Sequence, residues 1–202
     1  MTKIKLCGLS RPCDIETANR LRPEYIGFVF APKSIRYVSS EKAAELKKLL
    51  HPSIKVVGVF VREDPETVAE LLRGGTIDIA QLHGGESEDY IKQLRTLTDK
   101  PLIKAYRIDT EQDVEAANMS TADYVLLDSG QGGTGTTFDW NLLEKIDRPY
   151  FLAGGLNADN VCSAIERLNP YAVDVSSGIE TDGHKDIRKM EDFVHAVTTS
   201  YR

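Results

Sequence analysis

No apolar run in the 202 residues reaches the roughly 18 positions a membrane-spanning helix needs, and the opening stretch, MTKIKLCGLSR, has no apolar core of signal-peptide length. The expectation is a cytoplasmic protein with no membrane partner. Cysteine is scarce and odd in number: Cys7, Cys13 and Cys162 form no CxxC pair, so neither a disulfide framework nor a zinc site is indicated. Positive charge is also in deficit, with 25 Lys and Arg against 31 Asp and Glu and a formal net charge of -6 at pH 7. That balance argues against a nucleic-acid surface, and the lysines of KAAELKKLLH fall at helical spacing, as on a solvated helix face. No GxGxxG follows the first apolar run, no GxSxG elbow occurs, and no His, Asp and Glu residues cluster at metal-ligand spacing. Dinucleotide, metal and serine-hydrolase chemistry all lose ground, and no cofactor is expected.

What is present is an alternation. Hydrophobic residues make up 41% of the chain and charged residues 28%, the balance of a globular protein able to bury a core. Short runs rich in Val, Ile, Phe and Tyr recur eight times: IKLC (4–7), YIGFVF (25–30), KVVGVFV (55–61), IDIAQL (77–82), PLIKAY (101–106), DYVLLD (123–128), PYFLAG (149–154) and AVDVSS (172–177). Each reads as a buried strand. Between them lie segments of helical period with plausible starts: Ser39 and Ser40, Asp64 followed by Pro65, and Asn157. Strands alternating with single helices imply parallel pairing, and eight such units close a barrel. The predicted fold is α/β, a (βα)8 TIM barrel formed as a single domain over residues 1–202, with a doubly wound open sheet as the alternative. At about 25 residues per unit the chain is compact even against the ~250-residue norm of this barrel, which leaves function to the βα loops.

Active sites of such barrels form at the C-terminal ends of the strands, and chemically capable residues concentrate there. After strand seven AGGLN leads into a helix, and after strand eight SSGIE offers glycine and hydroxyls; together they suit a phosphate, which backbone amides approach closely where side chains are small. Ordinary turn glycines are the plain alternative. Cys7 ends strand one, where a compact buried thiol is as reasonable as a functional one. Asp128 ends the apolar VLLD, where scarcity of water would raise a carboxyl's pKa enough for proton donation, although a loop-ordering Asp also fits. A thiol and a carboxyl on opposite sides of one mouth suggest an acid and a base. Arg36, in APKSIRYV, is suited to hold a carboxylate bidentately, or is a solvated loop residue. Gln81 and His83 end strand four; His83 ranks behind Cys7 as a base and could equally orient neighbours. GQGGTGTTFDW (130–140) reads as a flexible lid or a phosphate-like nest, its place next to Asp128 favouring a lid formed by Gly130 to Thr137, with a plain Gly-rich linker as the alternative. Alternation also points Lys5, Lys104 and Asp174 into the barrel, so a buried network containing Lys5 and Asp174 is predicted. Cys13 and Cys162, in helical segments, are assigned nothing.

Six ordered motifs, KLCGLSR, GFVFAPKSIRYV, QLHGGE, LLDSGQGGTGTTFDW, LAGGLN and VDVSSGIE, resemble the successive strand-end motifs of the phosphoribosylanthranilate isomerase family over nearly the whole chain. The resemblance implies that Cys7 is the general base, Asp128 the general acid and Arg36 the partner of an anthranilate carboxylate. It implies phosphate binding by backbone around Gly154, Gly155, Ser177 and Gly178, and substrate contacts from Gln81 and His83. The implied reaction is an Amadori rearrangement of a small phosphoribosyl substrate in tryptophan biosynthesis, without metal or organic cofactor, by a monomer or a homodimer. A thiol serves as base at neutral pH only if its thiolate is stabilised, and loop amides near Gly8 are one expected source. The rival readings are a sister phosphoribosyl isomerase of the same barrel type and a non-catalytic phosphate-ligand barrel. The first should show half-to-half repetition, which this sequence lacks. The second has no need of Cys7 or Asp128.

Overall fold

The computed structural model describes residues 1–128 and 140–200, so the segment read as a lid, Gly130 to Thr137, lies outside the described residues. Eight parallel strands close in sequence order: β1 (Lys3–Cys7), β2 (Tyr25–Val29), β3 (Lys55–Phe60), β4 (Ile79–Leu82), β5 (Leu102–Arg107), β6 (Tyr124–Asp128), β7 (Tyr150–Ala153) and β8 (Ala172–Val175). β8 returns to β1 in parallel register, with Lys5 opposite Asp174, and this pairing closes the barrel. All eight predicted strands are present; strands seven and eight stop short of the predicted runs, at Ala153 and Val175, where Gly154 and Gly155 take positive φ and Ser177 enters a 3-10 turn.

Each strand is followed by a helix: α1 (Pro12–Leu21), α2 (Ser40–Leu49), α3 (Pro65–Arg73), α4 (Glu88–Leu97), α5 (Glu111–Met119), α6 (Trp140–Leu143), α7 (Val161–Leu168) and α8 (Ile187–Thr199). Local chemistry sets their starts. Ser39 caps α2 by accepting from the Lys42 amide, and Asp64 caps α3 by accepting from the Glu66 amide, with Pro65 supplying a first-turn residue that has no N–H to satisfy. α7 starts later than Asn157 suggested. The Asn157 Oδ1 instead accepts from the Asp159 and Asn160 amides, building a turn that delays the helix to Val161.

Side chains alternate between two cores. Ile4, Leu6, Ile26, Phe28, Val56, Phe60, Val125 and Val173 face outward into the layer shared with the helices. Tyr25, Val57, Ile79, Ile103, Leu126, Phe151 and Ala172 fill the barrel interior. At the end where the strands begin, the ring of Tyr124 stacks on Tyr171 at 4.9 Å and meets Phe151 edge-on at 5.7 Å, while Lys3 lies 4.3 Å over Tyr171. These rings close that end, so the other end is left to carry a site.

Lys5 and Asp174 form the predicted buried pair, with Nζ donating to both carboxylate oxygens at 3.0 and 2.9 Å and Lys5 fully buried. Lys104 corrects the expectation. Ile103 and Ala105 take the interior of β5, so Lys104 faces the helix layer and is buried there against Glu86 at 3.3 Å. Period-two alternation holds on β5, with its phase one residue away from the expectation. Glu180–Thr181 (β9) and His184–Lys185 (β10) form a hairpin beyond β8, turning on Asp182 and Gly183, both at positive φ. Asp-Gly is the dipeptide that such a two-residue turn favours.

Replacing Lys5 by Met leaves Asp174 as a buried carboxylate without its cation. We expect a loss of about 3–5 kcal/mol in urea unfolding, and recovery of most of it in Lys5→Met/Asp174→Leu. A single substitution costing less than about 1 kcal/mol would contradict the pairing as a structural requirement.

Candidate active site

The open end of the barrel holds a cavity of about 380 Å³ whose wall includes Cys7, Arg36, Gln81, His83, Asp128, Gly154, Gly155 and Ser177. Eight of the nine sequence-predicted site residues therefore meet in one place, although they come from six different βα units. Gly178 is the exception. An added Cβ there would fall 1.9 Å from the Leu156 carbonyl oxygen, so a glycine is what lets the loops after β7 and β8 touch.

Cys7 projects from the inner face of β1, two residues beyond Lys5, and is 7% exposed. Its position requires Gly27 on the neighbouring strand, since a Cβ there would lie 2.6 Å from Sγ. Burial pushes the Cys7 thiol above its ordinary value; Lys5 and Lys185 pull against that shift, and Asp174 reinforces it. For Lys5 burial works against the charge, yet Asp174 and Cys7 outweigh it and the ammonium is held above its usual range. The expected stabilisation by loop amides is not what the fold provides. The Gly8 and Leu9 amides both donate to the Gly27 carbonyl, at 2.9 and 3.1 Å, and are committed to the β1–β2 junction. Positive charge near the thiol comes from lysines instead.

Arg36 reaches the mouth from the loop after β2, its stem passing over Gly8, where a Cβ would lie 2.6 Å from its Cδ. Its guanidinium is held by Glu180, Nε and Nη2 each donating to one carboxylate oxygen at 2.6 Å. Glu180 also accepts from Lys185 Nζ at 2.5 Å, and Lys185 Nζ donates to the Ser176 carbonyl at 2.9 Å. Burial alone would raise the Glu180 carboxyl, but bonds from Arg36 and Lys185 hold it below the usual carboxylate range. Lys185 is itself lowered by burial, against the pull of Glu180. Sequence reasoning missed both Glu180 and Lys185. Their signal was the Asp-Gly turn, which returns the chain beneath the mouth immediately after SSGIE.

Across the cavity, Asp128 at the end of β6 lies 3.5 Å from His83 Nε2, and His83 Nδ1 lies 3.0 Å from Gln81 Nε2. The Asp128 side chain is 32% exposed, so it is less dry than a carboxyl at the end of an apolar strand was expected to be. The two neighbouring loops after β7 and β8 supply the small residues, with Gly154 and Gly155 at φ of 93° and 65° opening their backbone toward the cavity. Among the described residues no group of His, Cys, Asp and Glu is arranged to hold a metal ion.

A family model described as N-(5'phosphoribosyl)anthranilate (PRA) isomerase matches residues 4–196. The chain belongs to this family. Among its PRA isomerase relatives, the protein of Clostridium acetobutylicum is 48% identical over 205 residues and that of Thermoanaerobacter sp. (strain X514) 45% over 203, with 98% of each chain covered in both cases. The solved PRA isomerase of Thermotoga maritima superimposes with a TM-score of 0.88 at 36% identity, covering 98% of this chain and 99% of that one. A PRA isomerase solved with reduced 1-(o-carboxyphenylamino)-1-deoxyribulose 5-phosphate superimposes with a TM-score of 0.86 at 35% identity, with the same coverage. The eightfold alternation read as a barrel is therefore the fold of the family.

Because the raised thiol is buried beside two lysines, its titration is a direct check. Ultraviolet thiolate absorbance, taken as the difference from Cys7→Ser, should place Cys7 above the ~8.5 of a free thiol. Lys185→Met should move it further up, and a midpoint below that of a free thiol would overturn this electrostatic picture.

Proposed function

We propose that Cys7 and Asp128 are the base and the acid of the reaction this family member catalyses. That reaction is the aldose-ketose isomerisation of N-(5-phosphoribosyl)anthranilate to 1-(2-carboxyphenylamino)-1-deoxyribulose 5-phosphate, in tryptophan biosynthesis. The observation that carries the assignment is the shared cavity. A thiol from β1 and a carboxyl from β6 face it together, with two small-residue loops at its β7–β8 side and an arginine at its β2 side.

Asp128 donates its proton to the ring oxygen as the bond from that oxygen to sugar carbon one breaks, and the lone pair of the aromatic amine forms a protonated Schiff base. That cation acidifies the hydrogen on carbon two, and Cys7, as thiolate, removes it. The electrons return to the nitrogen through an enolamine, which takes up a proton at carbon one and loses the one on oxygen two to give the ketone. The substrate's own nitrogen is the electron sink. Lys5 and Lys185 offset part of the cost of the thiolate in a buried position, since an opposite charge close by favours the charged form, while burial and Asp174 keep the thiol above its ordinary value. Arg36 takes the anthranilate carboxylate, a planar anion, on the Nη1–Nη2 edge, since Glu180 holds the Nε–Nη2 edge. Gly154, Gly155, Ser177 and Gly178 hold the phosphate through backbone amides and a hydroxyl, and Gln81 contacts the sugar with the His83 ring beside it.

The proposed setting is the cytoplasm, and no helix among the described residues is long and apolar enough to cross a membrane. Monomers and a dimeric form are both named for the Thermotoga maritima protein, and the same two states, monomer or homodimer, are proposed here.

Removing an acid or a base typically costs ~10² to 10⁴ in rate. Cys7→Ala and Asp128→Asn should each fall by that much in kcat, read from the loss of substrate fluorescence with freshly generated substrate, and their unfolding midpoints should stay near wild type. Near-normal turnover in either variant removes that residue from its role.

A further inference from the structure

Among the described residues, two side-chain polar atoms are buried without a hydrogen-bond partner, and one of them, the Gln81 carbonyl oxygen, belongs to a residue lining the active cavity. Gln81 is 1% exposed, on the inner face of β4 one turn of the pleat above Ile79. A buried carbonyl with no donor is unfavourable, so a native site that keeps one implies a donor that arrives with the ligand. The other end of the same amide is engaged with the His83 ring at 3.0 Å, and that ring faces Asp128 at 3.5 Å.

We infer that Gln81 and His83 act as one device, in which the Gln81 amide nitrogen donates to Nδ1 and holds His83 with its Nε2–H toward Asp128, leaving the Gln81 carbonyl to accept from the ribose O3 hydroxyl. Charge decides the direction of the chain. Once Asp128 has given up its proton it is a carboxylate, and were the amide reversed, a neutral His83 would then carry its proton on Nδ1 and turn the Nε2 lone pair onto that carboxylate, bringing two acceptors face to face. With Nε2–H toward Asp128, every contact in the row pairs a donor with an acceptor. His83 is thereby a positioning residue for the acid, and Gln81 positions His83 while binding substrate.

The choice of hydroxyl follows from the reaction. This part of the inference rests on the isomerase reading above. The aromatic amine N–H lies beside its own ortho carboxylate and bonds internally, and O2 gives up its proton as the ketone forms. The O3 hydroxyl alone among the sugar donors is present in the substrate and untouched throughout, so an acceptor directed at it holds carbon two still while its neighbours change hybridisation.

Two measurements test the inference separately. Long-range proton–nitrogen correlation spectra of the free protein, with the His83 signals assigned by their loss in His83→Gln, should show Nε2 protonated and Nδ1 as a bare acceptor. Gln81→Glu, which cannot donate, should reverse that pattern or keep the ring doubly protonated to higher pH. A wild-type ring protonated on Nδ1 alone would overturn the orientation. Binding of reduced 1-(o-carboxyphenylamino)-1-deoxyribulose 5-phosphate and of its 3-deoxy counterpart then tests the acceptor. Wild type should favour the hydroxylated compound by about tenfold, and Gln81→Met should not discriminate. Equal discrimination by both proteins overturns the O3 contact. If Gln81→Met does not fold, Gln81→Asn, which withdraws the carbonyl by one methylene, serves with the same expectation. Failure of wild type to bind either compound counts against the isomerase reading and the O3 contact together, whereas the tautomer result stands on the free protein.

Discussion

The ion pair between Lys5 and Asp174 is the constraint on which the upper half of this barrel depends. It spans the closure seam, joining register partners on β1 and β8, and it puts an ammonium where the other strands supply Val57, Ile79, Ile103 and Leu126. A buried charge without a partner is strongly destabilising, so β1 and β8 have little freedom to slide past one another. Cys7 and Ser176 follow Lys5 and Asp174 on the same inner faces. The register enforced by the pair therefore sets the height of the thiol against the loops after β7 and β8.

Above that layer, Glu180 plays a comparable part at the rim. It binds Arg36 from the loop after β2 and Lys185 from the hairpin after β8, and Lys185 in turn holds the Ser176 carbonyl. One carboxylate thus ties the arginine side of the cavity to the small-residue side. The bidentate contact fixes the plane of the guanidinium before any ligand arrives, which reduces the ordering left to binding.

Much of this was legible in the chain because barrels repeat a simple grammar. The apolar runs, the Ser39 and Asp64 caps and the cluster of Cys7, Gln81, His83 and Asp128 at strand ends all follow from local pattern. Lys5 and Asp174 were paired from alternation alone. Phase was where alternation failed: Lys104 sits in a run, LIKAY, that is apolar on both faces, so no polar neighbour marks which side is inward. Contacts between residues far apart in sequence, such as Arg36 with Glu180, leave no periodic trace. Gly27 was also silent, because a glycine inside YIGFVF reads as a neutral strand position until its neighbour is known to be Cys7. Loop amides near Gly8 would suit an anion by sequence, but the Gly27 carbonyl claims them.

The closure seam also has a consequence for how the chain is made. During synthesis Lys5 emerges first and its partner Asp174 comes 169 positions later, after every other strand of the barrel. Until then β1 has no neighbour on one side, and its lysine cannot be buried without severe cost. Any closure formed without β8 would enclose an unpaired ammonium, which disfavours sealing an incomplete barrel. The same charge that aligns the finished molecule works, on the ribosome, against finishing early.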